Sequence, residues 1–364
     1  MILSELTRPV AITMWDFSWL ERRWAGAGYE NWDEALDGLL ERGYNAVRID
    51  AYPHLLSAGA NRVWRLKPQW TNQDWGACGL VDVQIQPHLN RFIAKCKERG
   101  ICVALSTWFR EDLGNQRALI ATPELHARIW LDALRSIEQD GLLDSILYVD
   151  LCNEWPWWGT FFGTDEQRAD WRTLKSMDWM RRSIGVLQKA YPSLPFCFSF
   201  SDRVLEDNTS LDLSFMRLLE PHIWMSKDTD FYRQIGFKCN PFDADEYRPV
   251  VEHAERLYRM DERHWQEGLA KAISDVALWS RKSDLPLVTT ECWAIVNYRD
   301  WPLLDWGWVK ELCAFGVAEA VKTGRWAGIA TSNFCGPQFV GMWRDKTWHQ
   351  NLTGLIRSGA MPNP

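Results

Sequence analysis

The sequence predicts an α/β fold, a single (β/α)8 TIM barrel over residues 1–364 with long loops after strands two and six. Three observations predict it. Short apolar runs alternate with longer segments of helical periodicity, the pattern of a parallel sheet with helical crossovers. Eight such runs can be placed, the number a closed barrel needs. The 364 residues exceed the roughly 250 of a minimal barrel, and no Pro/Gly-rich linker divides them.

Strands buried on both faces read as nearly continuous apolar runs. Strand one falls at Val10 to Trp15 and strand two at Asn45 to Ile49. Strand three runs from Ile101 to Ser106, strand four from Ile146 to Cys152, and strand five from Phe196 to Phe200. Strand six covers His222 to Met225, strand seven Leu287 to Thr290, and strand eight Gly328 to Ser332.

The helices between them carry start and stop signals. Trp32 to Arg42 repeats apolar residues at helical spacing and stops at Gly43, and His88 to Arg99 stops at Gly100 in the same way. Pro123 to Gln139 follows Thr122, an N-cap with proline at the first helical position. Trp171 to Ala190 and Val309 to Lys322 follow, with Thr347 to Arg357 last and a short segment, Ser214 to Leu219, as the fifth. Two connections exceed simple turns: Pro53 to Gln86, and Ser226 to Asp284 with a helix near Trp265 to Ser280. Both follow strands, so both belong to the barrel face where active sites lie.

Composition excludes several function classes. A net charge of -7 offers no basic field, so neither nucleic acid nor an anionic membrane is an expected partner. Nine cysteines, an odd count without a C-x-x-C pair, argue against a disulfide framework. The N-terminus lacks a basic stretch followed by an apolar one, and no run reaches the roughly 18 residues of a membrane span, so a cytoplasmic location is expected. The 24 tryptophans exceed what an ordinary core uses. Most should serve packing, but a flat apolar face with a polar edge also suits a sugar ring.

Two strand ends carry the chemistry. ILYVDLCNEWP runs from a buried strand into Asn153 and Glu154, with Pro156 to end it, and PLVTTECW delivers Glu291 to the tip of strand seven. Strands four and seven lie on opposite sides of an eight-stranded ring, so their end residues can face each other across its mouth. Two carboxylates about 5 Å apart can carry out double displacement at an anomeric carbon. Sharing one site also separates their pKa values, because the first to ionise disfavours the second. Asp16, Asp50, Tyr52 and His54 follow strands one and two, where they can grip sugar hydroxyls or bond within their loops. Trp15, Trp108, Trp155 and Trp293 close or follow strands and are candidate stacking faces. No zinc-protease motif, histidine cluster at ligand spacing, dinucleotide or phosphate loop, or nucleophile elbow occurs, so neither metal nor cofactor is expected.

WDFSWLERRW, NAVRIDAYP, DLCNEWP and TTECW together resemble the cellulase-like, sugar-binding group of the retaining clan that includes glycoside hydrolase family 5. The resemblance implies that Glu154 is the general acid/base and Glu291 the nucleophile. It implies that Asn153 bonds the sugar 2-hydroxyl, that Arg48 keeps Glu291 ionised, and that His222 lies near the nucleophile. The clan often places a tryptophan at the tip of strand eight; ATSNFCGP puts Asn333 or Phe334 there instead, so cellulose is not carried over as the substrate. The expected activity is hydrolysis of a β-glycosidic bond with retention, exo-acting on short oligosaccharides or glycosides because the two long loops would wall the mouth. A non-catalytic sugar-binding barrel and a transglycosylase stand as alternatives. A barrel lyase or aldolase would need a Schiff-base lysine or metal ligands at strand tips.

Overall fold

The computed structural model describes residues 3–361 apart from 72, 156–169, 202–209, 228 and 239–244. Pro156 and Cys239 therefore lie outside the described residues. Eight parallel strands form a closed ring: β1 (Val10–Thr13), β2 (Ala46–Asp50), β3 (Cys102–Ser106), β4 (Ile146–Asp150), β5 (Phe196–Cys197, then Ser199–Phe200), β6 (Glu220–Pro221, then Ile223–Trp224), β7 (Leu287–Thr289, then Cys292–Trp293) and β8 (Trp326–Ala330). Ile12 pairs with Ala46, Val47 with Val103, Leu105 with Val149, and Val149 with Phe196. Ser199 then pairs with Glu220, Ile223 with Cys292, Thr289 with Ile329, and Ile329 with Ala11, which closes the circle. Every residue of β1, β2, β4 and β8 is buried, as expected for strands covered inside by side chains and outside by helices.

The helices begin and end where local chemistry requires. Asn31 accepts from the Asp33 amide to cap Trp32–Glu41, and Thr122 accepts from the Leu125 amide to cap Pro123–Gln139. Gly43 and Gly100 take positive φ just past two helix ends, a conformation a β-carbon would strain. Among the described residues no helix occupies 214–219. The amide of Arg217 donates to the Phe196 carbonyl and that of Leu219 to the Pro286 carbonyl, so this stretch bonds to the barrel rather than to itself. Strand six accordingly starts earlier than expected, at Glu220.

Both long connections fold. After β2 come a helix, Pro53–Gly59, and an antiparallel hairpin pairing Val63–Leu66 with Val81–Gln84. After β6 come helices Phe231–Ile235, Arg248–Met260 and Glu262–Ser283; the first two were not anticipated. The eight described cysteines are free thiols. No described helix is long and apolar enough to cross a membrane.

Packing claims many of the indoles: Trp19, Trp130, Trp279, Trp293, Trp308 and Trp326 are fully buried. Trp293 corrects an expectation. It lies inside the protein, its N–H donating to the Ala330 carbonyl at 2.9 Å and its ring against Gly316, with no face open to a sugar. A β-carbon at Gly316 would meet that ring at 2.7 Å. In an open helix Gly→Ala gains roughly 1 kcal/mol. Gly316→Ala should instead cost about 1–3 kcal/mol, because the indole must move within a filled core. Urea unfolding checks this; an unchanged or raised midpoint would contradict the packing described.

Candidate active site

Arg48 stands on β2 with its side chain wholly buried. Its Nε donates to Asp16 at 2.9 Å, its Nη1 to Glu220 at 2.6 Å, and its Nη2 to the Asn153 amide oxygen at 2.6 Å and to Glu291 at 3.0 Å. Asp150 lies 3.9 Å from Nη1. Burial opposes the Arg48 charge, but Asp16, Glu220 and Glu291 hold its pKa well above the ordinary value. One cation thus ties together side chains that follow β1 and β4, open β6 and lie within β7.

The tips of the first four strands carry strained residues. Trp15, Tyr52, Phe109 and Glu154, which follow β1 to β4 in turn, all have φ between 45° and 90° although none is glycine. At Glu154 the strain is held by Ser199: the Glu154 amide donates to its Oγ at 2.7 Å, and the Trp155 amide to its carbonyl at 2.8 Å. Ser199 is fixed in turn by Asp150, which accepts from its amide and hydroxyl, each at 2.9 Å.

Glu154 and Glu291 meet over one opening. His222 Nδ1 lies 3.0 Å from Glu154 Oε1 and 3.8 Å from Glu291 Oε2, and all three ligating atoms fall within 4.8 Å of one another. Burial would raise the Glu154 pKa, but the hydrogen bond and charge of His222, aided by Lys227, hold it below the usual range. Burial pushes Glu291 up to about 7, the Glu154 charge adds to the rise, and His222 and Arg48 oppose it. Burial disfavours a charge on His222, yet Glu291 and Glu154 raise its pKa. Two carboxylates and an imidazole at this spacing could also hold a metal ion. Arg48, already 3.0 Å from Glu291, opposes a second cation there.

A cavity of about 290 Å³ opens above the pair, at the small end of the roughly 300–1,000 Å³ usual for ligand sites. Trp15, Trp70, Trp75, Trp108 and Trp224 line it with Asn153, Glu154, Glu291, Asn297 and Asn333. Trp15 and Trp75 stack at 5.3 Å, and Asp16 anchors Trp108 by accepting from its indole N–H at 2.7 Å. Trp15, Trp108, Asn153, Arg48, Asp16 and His222 therefore gather around or beneath the pair. Asp50 does not face the opening; it accepts from the amides of Tyr52 and Trp108 and braces two loops. Tyr52 bonds Glu21, and His54 bonds the Arg110 carbonyl. Trp155 is buried edge-on to Phe198 and, like Trp293, does not line this cavity. At the end of β8, Asn333 lines the cavity while Phe334 is buried among Trp306 and Phe339.

Sequence reasoning missed Glu220, Asp150, Trp70, Trp75 and Trp224. A glutamate inside the apolar run LLEPHIW was the available sign of Glu220, and QWTNQDW in the long loop was that of the two hairpin-tip indoles.

A profile described as cellulase-like, sugar-binding cellulase-like, matches residues 12–357. No curated protein sequence matches the chain. A crystal structure from Parabacteroides distasonis, of a protein provisionally described as a glycoside hydrolase, is 51% identical, with a TM-score of 0.95 over 98% of this chain and 95% of that one. The endo-beta-1,4-mannanase of Thermotoga petrophila shares the fold at 10% identity and a TM-score of 0.57, over 98% of this chain and 79% of that one. GH5_18 of Bifidobacterium longum does so at 13% and 0.57, over 99% and 82%.

Burial, reinforced by the Glu220 charge, pushes Asp150 from its ordinary 3.8 up to about 8. A carboxyl raised in this way binds its proton more tightly folded than unfolded. The stability it contributes is fully present below pH 3.8 and lost as pH rises through about 8. Asp150→Asn removes that ionisation, so stability should fall less steeply between about pH 5 and 8. Urea midpoints across that range test this; a slope equal to that of the parent would contradict it.

Proposed function

The chain belongs to the sugar-binding cellulase-like family, and from that premise we propose that it is a retaining glycoside hydrolase. The observation that carries this reading is the approach of Glu154 and Glu291 to within 4.8 Å across one opening. Double displacement uses carboxyl groups about 5–5.5 Å apart, whereas inversion needs about 6.5–9.5 Å to admit a water.

Glu291 attacks the anomeric carbon as the Glu154 proton passes to the departing oxygen. The glycosyl ester on Glu291 is then cleaved by a water whose proton Glu154 takes, with the same face of the sugar restored. In the empty site Glu291 has the higher pKa, so the proton must reach Glu154 before attack. A sugar hydroxyl donating to Glu291 favours its ionised form, and a departing group that shields Glu154 from water favours its protonated one. Arg48 remains against Glu291 throughout, and Asn153, fixed by Arg48, is placed for the 2-hydroxyl.

The substrate is a short β-linked oligosaccharide or glycoside, taken from its end. The small volume of the cavity and its wall of hairpin indoles support this. Asn333, where related barrels often have tryptophan, leaves one side of the cavity polar, which favours hydroxyl contacts there over stacking.

The test is a panel of aryl glycosides of different sugars and anomers. On the best of them Glu291→Gln should lower kcat by at least about 10³-fold. Glu154→Gln should lower it by about 10²–10⁴-fold, with the smallest loss on the most acidic leaving group. Proton NMR of the first-formed sugar should show the anomer of the substrate. Full activity in either variant, or an inverted product, would overturn the reading.

A further inference from the structure

A second cavity, about 490 Å³, adjoins the first. It lies between the end of β6 and the helix Glu262–Ser283, and Trp224 lines both cavities. His222 is the other link. Its Nδ1 faces the carboxylate pair, the ring lines the second cavity, and its Nε2 is buried without a hydrogen-bond partner. The Trp224 indole N–H is likewise buried and unpartnered. Lys227, in the same wall, is half-buried and makes no ion pair among the described residues.

These three groups share one character. Lys227 and the Trp224 indole only donate. Glu291 and Glu154 raise the pKa of His222, whose Nε2 donates whenever the ring is protonated. Buried donors without acceptors are costly, so these call for an acceptor from water or from a ligand, and here they line one cavity together. Asp230, the one acidic residue among the described lining, is exposed and paired to Arg233, so no described carboxylate of this cavity pairs with Lys227, whose charge acts on Glu154 at the boundary. Ile223, Trp265, Ala272 and Val276 supply an apolar floor for a ring.

We propose that this second cavity receives the departing half of the substrate and selects one bearing a carboxylate, as a uronic acid does, seated on Lys227 with the Trp224 and His222 N–H groups. The proposal rests on the hydrolase reading for the word "departing" but not for the binding itself. Lys227 gives the charge, the two ring N–H groups give direction, and the apolar floor takes the ring face. Glu154, bonded to His222, stands at the boundary between the cavities, where the proton of a general acid is needed.

Calorimetric titration of the full chain with glucuronate and with glucose tests the binding. Glucuronate should bind at least 10-fold more tightly, about 1.4 kcal/mol, and Lys227→Met should abolish the difference. Equal affinity for the two sugars, or a preference that survives Lys227→Met, would overturn the proposal. Aryl glycosides with and without a carboxylate on the leaving ring separate it from the hydrolase reading. Glucuronate binding that needs Lys227 without turnover of any glycoside sinks the hydrolase and keeps the carboxylate site. Turnover with no gain in kcat/KM from the leaving-ring carboxylate overturns the site and keeps the hydrolase.

Discussion

The structure depends on one buried guanidinium. Arg48 sits where an apolar barrel would otherwise expel charge, and it is tolerable there because every face of it meets an acceptor. The same bonds fix the reacting geometry. Asp16, Asn153, Glu220 and Glu291 come from four different strands or the turns just after them, and each is held by the same planar fork. Arginine suits this task and lysine does not, because five N–H groups in a rigid plane specify directions that a single ammonium leaves open. One cation cannot balance all the carboxylates nearby. The cluster settles the excess by keeping protons on some of them, with Asp150 pushed up to about 8 and Glu291 to about 7.

Around that hub the barrel mouth is built from strain and insertion. Four successive strand tips carry non-glycine residues in the left-handed region. The connection within the hairpin after β2 walls the mouth, its Trp75 packing on the Trp15 and Trp108 rings and its Trp70 on Trp75. The helices after β6 close the other side and enclose the second cavity. The scaffold is shared with distant barrels, and the cavity walls come from the connections after its strands.

The barrel was legible because its strands are buried on both faces and read as nearly continuous apolar runs. Glu154 and Glu291 stood out for the same reason, each being the first charge after such a run. The helix expected at residues 214–219 failed because an apolar stretch of six residues suits either state, and here barrel carbonyls accept its amides. Trp293 was misread because periodicity does not tell inward from outward at the last residue of a strand, and the space over Gly316 that its ring fills is visible only in three dimensions. The bond from Arg48 to Glu220 joins residues 172 positions apart, a pairing that no local spacing encodes. The hairpin indoles escaped notice because VWRL and VDVQ are short and half-exposed, and so indistinct from loop.

The central claim is that Arg48 presents Glu291 as a nucleophile while Glu154, across the same opening, handles the proton. A 2-deoxy-2-fluoro glycoside with a good leaving group slows hydrolysis of a covalent intermediate and lets it accumulate. Mass spectrometry of the digested protein should then find the fluorosugar on the peptide containing Glu291, bonded to that carboxylate. Label on Glu154 instead, or turnover of the parent glycoside with no trapped ester on any residue, would contradict the account.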